Sequence, residues 1–306
     1  MPTISAIITT FNRCHYLKKA IESVLSQTYQ DFELLILDNS STDQTETVVN
    51  QFNDQRIRYI KHPQLNISQT RNLGVKESRG EFIAFLDDDD MWLPNKLTDE
   101  YELFNASSKQ VALVYGGFVR IDSNDKPFYR HQPYLQGKVL KSLLLLEDDF
   151  TGSASNPMLR KSAVLVLGGF DEAVKTGEDW EFYLRLAEQY EVALIPQPVV
   201  NVRHHHGARL GDKLRDYIDL ELQVMCRYSG LFNADKKLRS FYLQRIGGKF
   251  VRLGLIKEGR QYLLQSLKAN HHNSLAFIQL LSSYFGKAFY QRLHQFYLNC
   301  KRPFKV

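Results

Sequence analysis

The chain has 306 residues, of which 43% are hydrophobic and 24% charged, as in a globular protein of one domain plus an appendage, or of two domains. Its longest apolar runs, such as residues 143–146, are far shorter than the roughly 18 residues of a membrane-spanning helix, and its start does not resemble a signal peptide. The three scattered cysteines predict free thiols and exclude a disulfide framework. We therefore expect a cytoplasmic protein.

The net charge of +5 is unevenly distributed along the chain. Residues 231–306 contain 14 Lys and Arg against 2 Asp and Glu, a net charge of +12, so the other 230 residues carry 25 against 32, or −7. An acidic body joined to a basic tail predicts an anionic partner for the tail. A phospholipid surface, a lipid pyrophosphate and a nucleic acid are the candidates at this point.

The first 90 residues alternate between patterns typical of strands and of helices. Strands are predicted at 4–9, 32–37, 57–60 and 82–86. Helices are predicted around 17–25, from the turn at 39–43 through 52, and at 69–77. This alternation predicts an α/β fold with a mainly parallel sheet and helices on both of its faces.

The remaining residues divide into two parts. The predicted elements are a helix at 96–104, a strand at 111–115, a long loop or irregular hairpin over 120–138, a helix at 178–188, and two late strands at 192–195 and 199–202 separated by prolines. From about residue 212 the pattern is helical, with breaks at Gly230, Gly247-Gly248 and Gly286. We predict a catalytic domain over residues 1–215 and a basic, mainly helical region over 216–306.

Four consecutive aspartates, residues 87–90, follow the predicted strand at 82–86. If the backbone stays extended, Asp87 and Asp89 point to one face, and Asp88 and Asp90 to the other. Hard cations such as Mg²⁺ and Mn²⁺ bind one or two carboxylates together with substrate phosphates, and open α/β sheets bind ligands at this end of their strands. The alternatives are a solvated acidic turn and an adventitious Ca²⁺ site.

Two phosphate-binding motifs are absent: the chain has neither a P-loop nor a Gly-x-Gly-x-x-Gly fingerprint. Phosphate would therefore be neutralised by a metal on the aspartates, with help from Arg13 or Arg71. Asp38 ends the second strand, where it would accept hydrogen bonds from a base or ribose, or act as an ordinary turn residue. Trp92 is expected in the core.

Five segments, in the same order along the chain, resemble family 2 glycosyltransferases of the GT-A fold. They are residues 7–13 (IITTFNR), 37–43 (LDNSSTD), 70–74 (TRNLG), 85–92 (FLDDDDMW) and 176–180 (TGEDW). The resemblance covers roughly residues 3–206 and implies a GT-A-like sheet sandwiched by helices, with a C-terminal helical extension. The resemblance does not extend to the residues beyond about 220.

The resemblance implies an inverting, metal-dependent glycosyltransferase. Such an enzyme moves a sugar from a nucleoside-diphosphate sugar, with UDP favoured, to a hydroxyl acceptor such as a growing surface polysaccharide or a lipid-linked glycan. Two alternatives remain open, a non-catalytic nucleotide-sugar binding protein and a nucleotidylyltransferase. The latter would need a Gly-rich basic loop after the first strand, which residues 11–15 do not provide.

The resemblance also implies roles for the acidic residues. Asp179 corresponds to the catalytic base, with Glu178 beside it, although Asp179 could equally cap the helix that it opens. Asp89 corresponds to the ligand of a Mg²⁺ or Mn²⁺ ion that bridges to the diphosphate, and Asp88 to the ribose-side acid. Asp87 is the alternative first acid, because a run of four aspartates leaves the register of the Asp-x-Asp motif open.

The other implied positions contact the nucleotide or its diphosphate. Those for the base and ribose are Thr9, Phe11, Arg13, Asp38 and Arg71. Arg203 and His205 correspond to an Arg-x-His element that closes over the diphosphate, and the alternative is a polar loop.

The end of the chain mixes aromatic and basic residues from 284 onward. This mixture predicts either an interfacial helix on anionic lipid, at the inner face of the membrane, or a helical subdomain with a solvated basic side. We expect a nucleotide-sugar donor, a glycan or lipid-linked acceptor and no nucleic acid as partners.

Overall fold

The structure is a computed structural model that describes residues 2–204 and 214–301. The chain divides into two compact units, one of Met1–Ala173 with Glu178–His206 and the other of Val174–Gly177 with Gly207–Lys305. The predicted domain boundary at residue 215 stays a prediction.

The first unit is built on one mixed sheet. Its described strands are β1 (Ile4–Thr10), β2 (Phe32–Asp38), β3 (Ile57–Lys61), β4 (Phe82–Asp87), β5 (Met91–Trp92), β6 (Val111–Ile121), β7 (Pro127–His131), β8 (Met158–Arg160) and β9 (Glu191–Arg203). They run in the order β3-β2-β1-β4-β8-β6-β9-β5, with β7 beside β6. The pairs among β1 to β4, and β6 with β9, are parallel, whereas β5, β7 and β8 pair antiparallel with their neighbours.

Seven helices are described in this unit. They are α1 (Cys14–Leu25), α2 (Thr45–Val49), α3 (Ile67–Glu77), α4 (Lys96–Ala106), α5 (Leu140–Leu145), α6 (Lys161–Val166) and α7 (Glu178–Gln189). The alternation of strands and helices predicted for the first 90 residues is confirmed. The predicted helix through residue 52 is too long, because α2 ends at Val49.

Helix α3 begins two residues earlier than predicted, because Asn66 and Gln69 form a capping box. The Asn66 side chain accepts the backbone N–H of Gln69 at 2.9 Å, and the Gln69 side chain accepts that of Asn66 at 3.0 Å. This reciprocal pairing satisfies backbone donors that have no partner within a helix. It fixes the start of the helix that carries Arg71.

The parallel strands end together at one edge of the sheet. Every residue of β2 is buried, as expected of a strand covered on both faces. The register aligns Thr10 with Asp38 and Thr9 with Asp87. Polar residues from three strands therefore meet at the carboxyl edge of the sheet, where open α/β sheets bind ligands.

The prediction of two late strands is wrong, since residues 191–203 form the single strand β9. Its pairing with β6 jumps from Gly116–Ile195 to Gly117–Pro198, so the segment between the two prolines bulges out of the ladder. Prolines lack the N–H that a ladder requires, and a bulge accommodates them without ending the strand. Strand β6 also extends past the predicted residue 115, to Ile121, and forms a hairpin with β7.

The second unit is helical over its described residues. It contains α8 (Leu214–Arg227), α9 (Ser229–Ala234), α10 (Lys236–Leu253), α11 (Ile256–Ala269), α12 (Ser274–Ser283) and α13 (Lys287–Lys301). Within residues 2–204 and 214–301, no helix is both long and apolar enough to cross a membrane.

The predicted helix break at Gly247-Gly248 is wrong, because both residues lie inside α10. A Cβ atom on Gly247 would lie 2.9 Å from the carbonyl oxygen of Gly259 on α11, and one on Gly248 would lie 2.8 Å from the hydroxyl of Tyr290. The glycines therefore allow helices to approach closely, and packing outweighs their low helix propensity. The break predicted at Gly230 lies two residues earlier, at Tyr228, because α8 ends at Arg227 and α9 begins at Ser229.

Candidate functional site

The four aspartates form a tight turn after β4. The strand ends at Asp87, and the Asp90 N–H donates to the Asp87 carbonyl at 3.1 Å. Asp87 and Asp89 are partly exposed, whereas Asp88 and Asp90 are buried. Because the chain turns here, the extended backbone on which the predicted alternation of faces depended is not present, but the two pairs still differ in exposure. Asp87 and Asp89 are therefore the carboxylates that a ligand can reach.

Asp88 and Asp89 share one guanidinium. Arg13 donates from Nη1 to Asp88 at 3.2 Å and to Asp89 at 2.8 Å, and Thr10 donates its hydroxyl to Asp88 at 2.8 Å. Burial, followed by the charge of Asp89, raises the pKa of Asp88 to about 7, although Arg13 opposes the shift. The turn thus concentrates negative charge that favours a cation.

Asp90 anchors the turn and does not face a ligand. Its carboxylate accepts the Ser155 hydroxyl at 2.6 Å, the Ser153 hydroxyl at 2.9 Å and the Arg203 N–H at 2.8 Å. Ser155 also accepts the N–H of Asp87 at 2.9 Å. The two serines, which precede β8, were missed by the sequence reasoning, since no local pattern marks their contact with residues more than 60 positions away.

Trp92 is buried in the core, as predicted, with 3% of its surface exposed. Its indole N–H donates to the Ser155 carbonyl at 2.8 Å. This hydrogen bond fixes the backbone at Ser155, whose hydroxyl donates to Asp90 of the aspartate turn.

Arg71 connects the aspartate turn to helix α7. Its buried guanidinium donates to Glu178 at 2.6 Å and to Asp87 at 3.4 Å, and it lies over the ring of Phe170 at 5.5 Å. Burial disfavours the charged form, but Glu178, Asp87 and Asp179 outweigh it and raise the pKa of Arg71. One permanently charged residue thus fixes carboxylates that are far apart in the sequence.

Asp179 lies in the first turn of α7, next to Glu178. Its Oδ1 accepts the N–H of Trp180 at 2.7 Å, so it also serves the helix start. Burial, followed by the charge of Glu178, raises the pKa of Asp179 to about 6, while Arg71 opposes the shift. A carboxylate with this pKa is ionised at neutral pH and is a stronger base than an ordinary aspartate.

A cleft of about 220 Å³ lies beside Asp179. The residues that line it come from the start of α7, from α5 and from the loop that leads to β8: Leu143, Leu146, Asp148, Asp149, Phe150, Thr151, Gly152, Ser153, Asp179, Trp180 and Tyr183. Ser153 also donates to Asp87 at 3.3 Å and to Asp90. The cleft is therefore lined both by Asp179 and by Ser153, the residue that contacts the aspartate turn.

The predicted nucleotide residues surround the same edge of the sheet. Thr9 is the penultimate residue of β1 and pairs with Asp87, and Phe11, in the following loop, is 44% exposed. Asp38 is fully buried, with one carboxylate oxygen accepting the Ser41 N–H at 2.8 Å and the other the Tyr59 hydroxyl at 2.5 Å. Asp38 therefore orders the loop after β2, and its contact with a base or ribose stays a prediction.

Arg203 lies beneath the aspartate turn. Its side chain is 1% exposed and donates to the carbonyls of Asp89 at 3.0 Å and Asp122 at 2.8 Å, and it is also paired with Asp125. In this arrangement the guanidinium braces the turn, and its contact with a diphosphate stays a prediction. His205 lies outside the described residues.

The oxygen donors of the turn fit a hard divalent ion. Among the residues that the structure describes, no three His, Cys, Asp or Glu side chains form a ready-made ligand set. Asp87 and Asp89 instead present partly exposed carboxylates, 35% and 12% exposed, at the edge of the sheet. Mg²⁺ and Mn²⁺ commonly bind in this way, through one or two carboxylates with the rest of the shell from water and phosphate.

Comparison with proteins of known structure supports the fold. S. aureus TarS, in a crystal structure with UDP-GlcNAc, matches with a TM-score of 0.65 at 17% identity, over 87% of this chain and 81% of that chain. The structure of the same protein with UDP matches with a TM-score of 0.64 over 92% of this chain. The predicted GT-A-like α/β fold with a helical extension is confirmed.

Comparison of sequences identifies the family. An uncharacterized glycosyltransferase of Rickettsia typhi is 27% identical over 72% of this chain and 70% of its own length. The Escherichia coli UDP-Glc:α-D-GlcNAc-diphosphoundecaprenol β-1,3-glucosyltransferase WfgD is 34% identical over 45% of this chain and 55% of its own length. Residues 5–168, more than half of the chain, match the family described as Glycosyl transferase family 2. The chain therefore belongs to glycosyl transferase family 2, as its motifs predicted.

Proposed function

We propose that this glycosyltransferase moves a sugar from a UDP-sugar to a hydroxyl acceptor with inversion at the anomeric carbon. The observation that carries the proposal is the position of Asp179 beside a cleft whose Ser153 contacts Asp87 and Asp90. A carboxylate suited to proton removal and carboxylates suited to a metal-bound diphosphate thus border one site. The sugar to be transferred would lie between them.

The chemistry that we assign to this chain requires one displacement. Asp179 accepts the proton of the acceptor hydroxyl while that oxygen attacks the anomeric carbon. The bond from this carbon to the diphosphate oxygen breaks, and the nucleoside diphosphate leaves with the electron pair. Because attack and departure occur on opposite faces, the configuration inverts. Glu178 and Arg71 hold Asp179 and Asp87 in their relative positions.

We assign the divalent ion to Asp89, with Asp87 as the alternative ligand. When bound, Mg²⁺ or Mn²⁺ supplies positive charge that stabilises the leaving diphosphate. Arg13, which pairs with both Asp88 and Asp89, keeps the turn compact on the nucleotide side. The nucleotide itself is assigned to the edge formed by Thr9, Phe11, Asp38, Arg71 and Asp88.

UDP as the nucleotide and a lipid-linked glycan as the acceptor are inferred from the relatives. WfgD is named for a UDP-sugar donor and for an acceptor on diphosphoundecaprenol, and TarS was crystallised with UDP-GlcNAc. We infer a role in the synthesis of a surface polysaccharide, with the enzyme working at the inner face of the membrane. A donor-binding protein without activity would give no product in a donor screen, and a nucleotidylyltransferase would not transfer the sugar.

The donor screen has two stages. We expect UDP with Mn²⁺ to raise the unfolding temperature more than GDP, dTDP or Mn²⁺ alone, because a ligand of the native state stabilises it by mass action. UDP-sugars are then incubated with lipid-linked glycan acceptors, and the anomer of the product is read by NMR. Binding without sugar transfer would contradict the enzymatic proposal. Release of pyrophosphate in a separate incubation with UTP and a sugar 1-phosphate would indicate a nucleotidylyltransferase.

The pH dependence follows from the pKa of Asp179, which is about 6. A general base works only when it is unprotonated, so kcat should be level above about pH 7 and fall roughly tenfold per unit well below pH 6. The measurement is kcat at saturating donor, because Asp88 titrates near pH 7 on the nucleotide side and would change KM. A kcat that stays constant down to pH 5 would contradict the assignment of Asp179.

A further inference from the structure

Helix α12 in the second unit buries polar side chains and exposes large apolar ones. An ordinary surface helix buries an apolar stripe and exposes polar residues. The buried residues of α12 are Ala276, Gln279, Leu280, Ser282 and Ser283. Its exposed face begins with Phe277, Ile278 and Leu281, which are 52%, 48% and 48% exposed, and continues past the helix end with Tyr284 and Phe285 at 62% and 72%. We call these five side chains the outer face of α12.

The polar inner side of α12 is fixed by hydrogen bonds. Gln279 accepts the side-chain amide of Gln244 at 2.6 Å, and Arg260 donates to the hydroxyl of Ser283 at 3.0 Å and to its carbonyl at 2.9 Å. Leu280 also packs in a small core with Tyr290 of α13. Turning the helix over would break these contacts and leave the buried Gln244 and the partly buried Arg260 without their partners, which is costly. The outer face of α12 therefore stays outward.

The outer face of α12 is as large as the largest apolar patch of a typical monomeric protein. With exposures of 48–72%, its five side chains present on the order of 500 Å² of mainly apolar area, comparable to the largest patch on a typical monomer, which measures about 300–600 Å² and is often functional. Phe289 of α13 enlarges it, since its ring centroid lies 5.1 Å from that of Phe285. Together these side chains form a continuous apolar surface of the size at which functional contacts are common.

The charges around this surface select an anionic occupant. Glu258 is the last acidic residue of the chain, and residues 259–306 contain seven Lys and Arg with no Asp or Glu. Lys287 and Arg292 are exposed on α13, and the Arg260 guanidinium lies 3.8 Å from the ring centroid of Tyr284. A second copy is disfavoured, because a two-fold interface would bring the same cations against each other.

We propose that the outer face of α12 docks onto an anionic phospholipid surface. Phe277, Leu281 and Phe285 enter the boundary between headgroups and acyl chains, while Lys287 and Arg292 reach the lipid phosphates. The contact holds the chain at the membrane without spanning it. The inference does not rest on the proposed transfer reaction, since neither donor nor acceptor takes part in the contact.

The test is co-sedimentation of the full-length protein with vesicles, without donor or acceptor. Vesicles of phosphatidylcholine alone are compared with vesicles that contain phosphatidylglycerol. We expect binding only to the latter at about 50 mM salt, and much weaker binding at about 500 mM, where charges are screened within a few ångströms. The triple variant Phe277→Ser, Leu281→Ser and Phe285→Ser should lose at least about tenfold in vesicle affinity.

The matched control is the triple variant Leu231→Ser, Leu253→Ser and Leu264→Ser, which removes side chains of the same unit that are 36–45% exposed and belong to α9, α10 and α11. It should bind vesicles like the wild type, and thermal unfolding should show that both variants are folded. Equal losses in the two variants, or no wild-type binding to anionic vesicles at low salt, would overturn the proposal. So would a dimer in light scattering that only the first variant dissociates, since the face would then be an interface between copies.

Discussion

Asparagine at position 179 should leave an enzyme that binds its donor but transfers sugar about 10²–10⁴-fold more slowly, the usual effect of losing a general base. The amide of Asp179→Asn cannot accept the proton of the acceptor hydroxyl. Its Oδ1 can still accept the Trp180 N–H, so the start of α7 should persist. The measurements are kcat for transfer and the Kd of UDP by calorimetry.

The control for this variant is Asp171→Asn. Asp171 is exposed and accepts a backbone N–H, that of Ala173 at 2.9 Å, so asparagine makes the same local change away from the cleft. Transfer by the control should match the wild type. If Asp179→Asn keeps transfer within a few-fold of the wild type, Asp179 only stabilises the helix start and the base is another residue.

The second large effect is expected for Asp89→Asn, which removes the charge of the assigned metal ligand. We expect the affinity for UDP in the presence of Mn²⁺ to fall at least about 10- to 100-fold, the loss typical even for residues that only orient metal ligands. The wild type should bind UDP more tightly with Mn²⁺ than with a chelator. Calorimetry under both conditions should give the same weak affinity for the variant.

The control for Asp89→Asn is Asp54→Asn. Asp54 is also a partly buried carboxylate paired with an arginine, Arg56 at 2.6 Å, but it lies on the turn before β3. The control should retain the Mn²⁺ effect in full. If Asp89→Asn retains it as well, the ion binds elsewhere, and Asp87 becomes the first candidate.

The sequence predicts the strands near the aspartates well, because each is a short apolar run closed by a polar residue. β1, β2 and β4 all end within one residue of the expected position. In an open sheet their common direction places their ends together, so the location of the site also follows. The carboxyl edge is therefore recognisable from local patterns alone.

Other features depend on residues that are far apart in the sequence. The sequence predicts two strands in place of β9, because prolines usually end a strand. Only the pairing of β9 with β6 shows the bulge that accommodates the prolines. The three-residue strand β8 is too short for a periodic pattern. Arg71 and Glu178 are 107 positions apart, so their ion pair, which links the two halves of the site, could not be read from spacing.

The outward apolar side chains of α12 have a practical consequence for anyone who prepares this enzyme. In water without lipid, such a surface promotes aggregation at high protein concentration. A protein engineer seeking better yield would replace Phe277 or Phe285 with a charged residue, and each replacement would increase the solubility of the purified protein. The same changes would remove the contact proposed for the membrane, so the most convenient variant would be the least informative one for assays with lipid-carried acceptors.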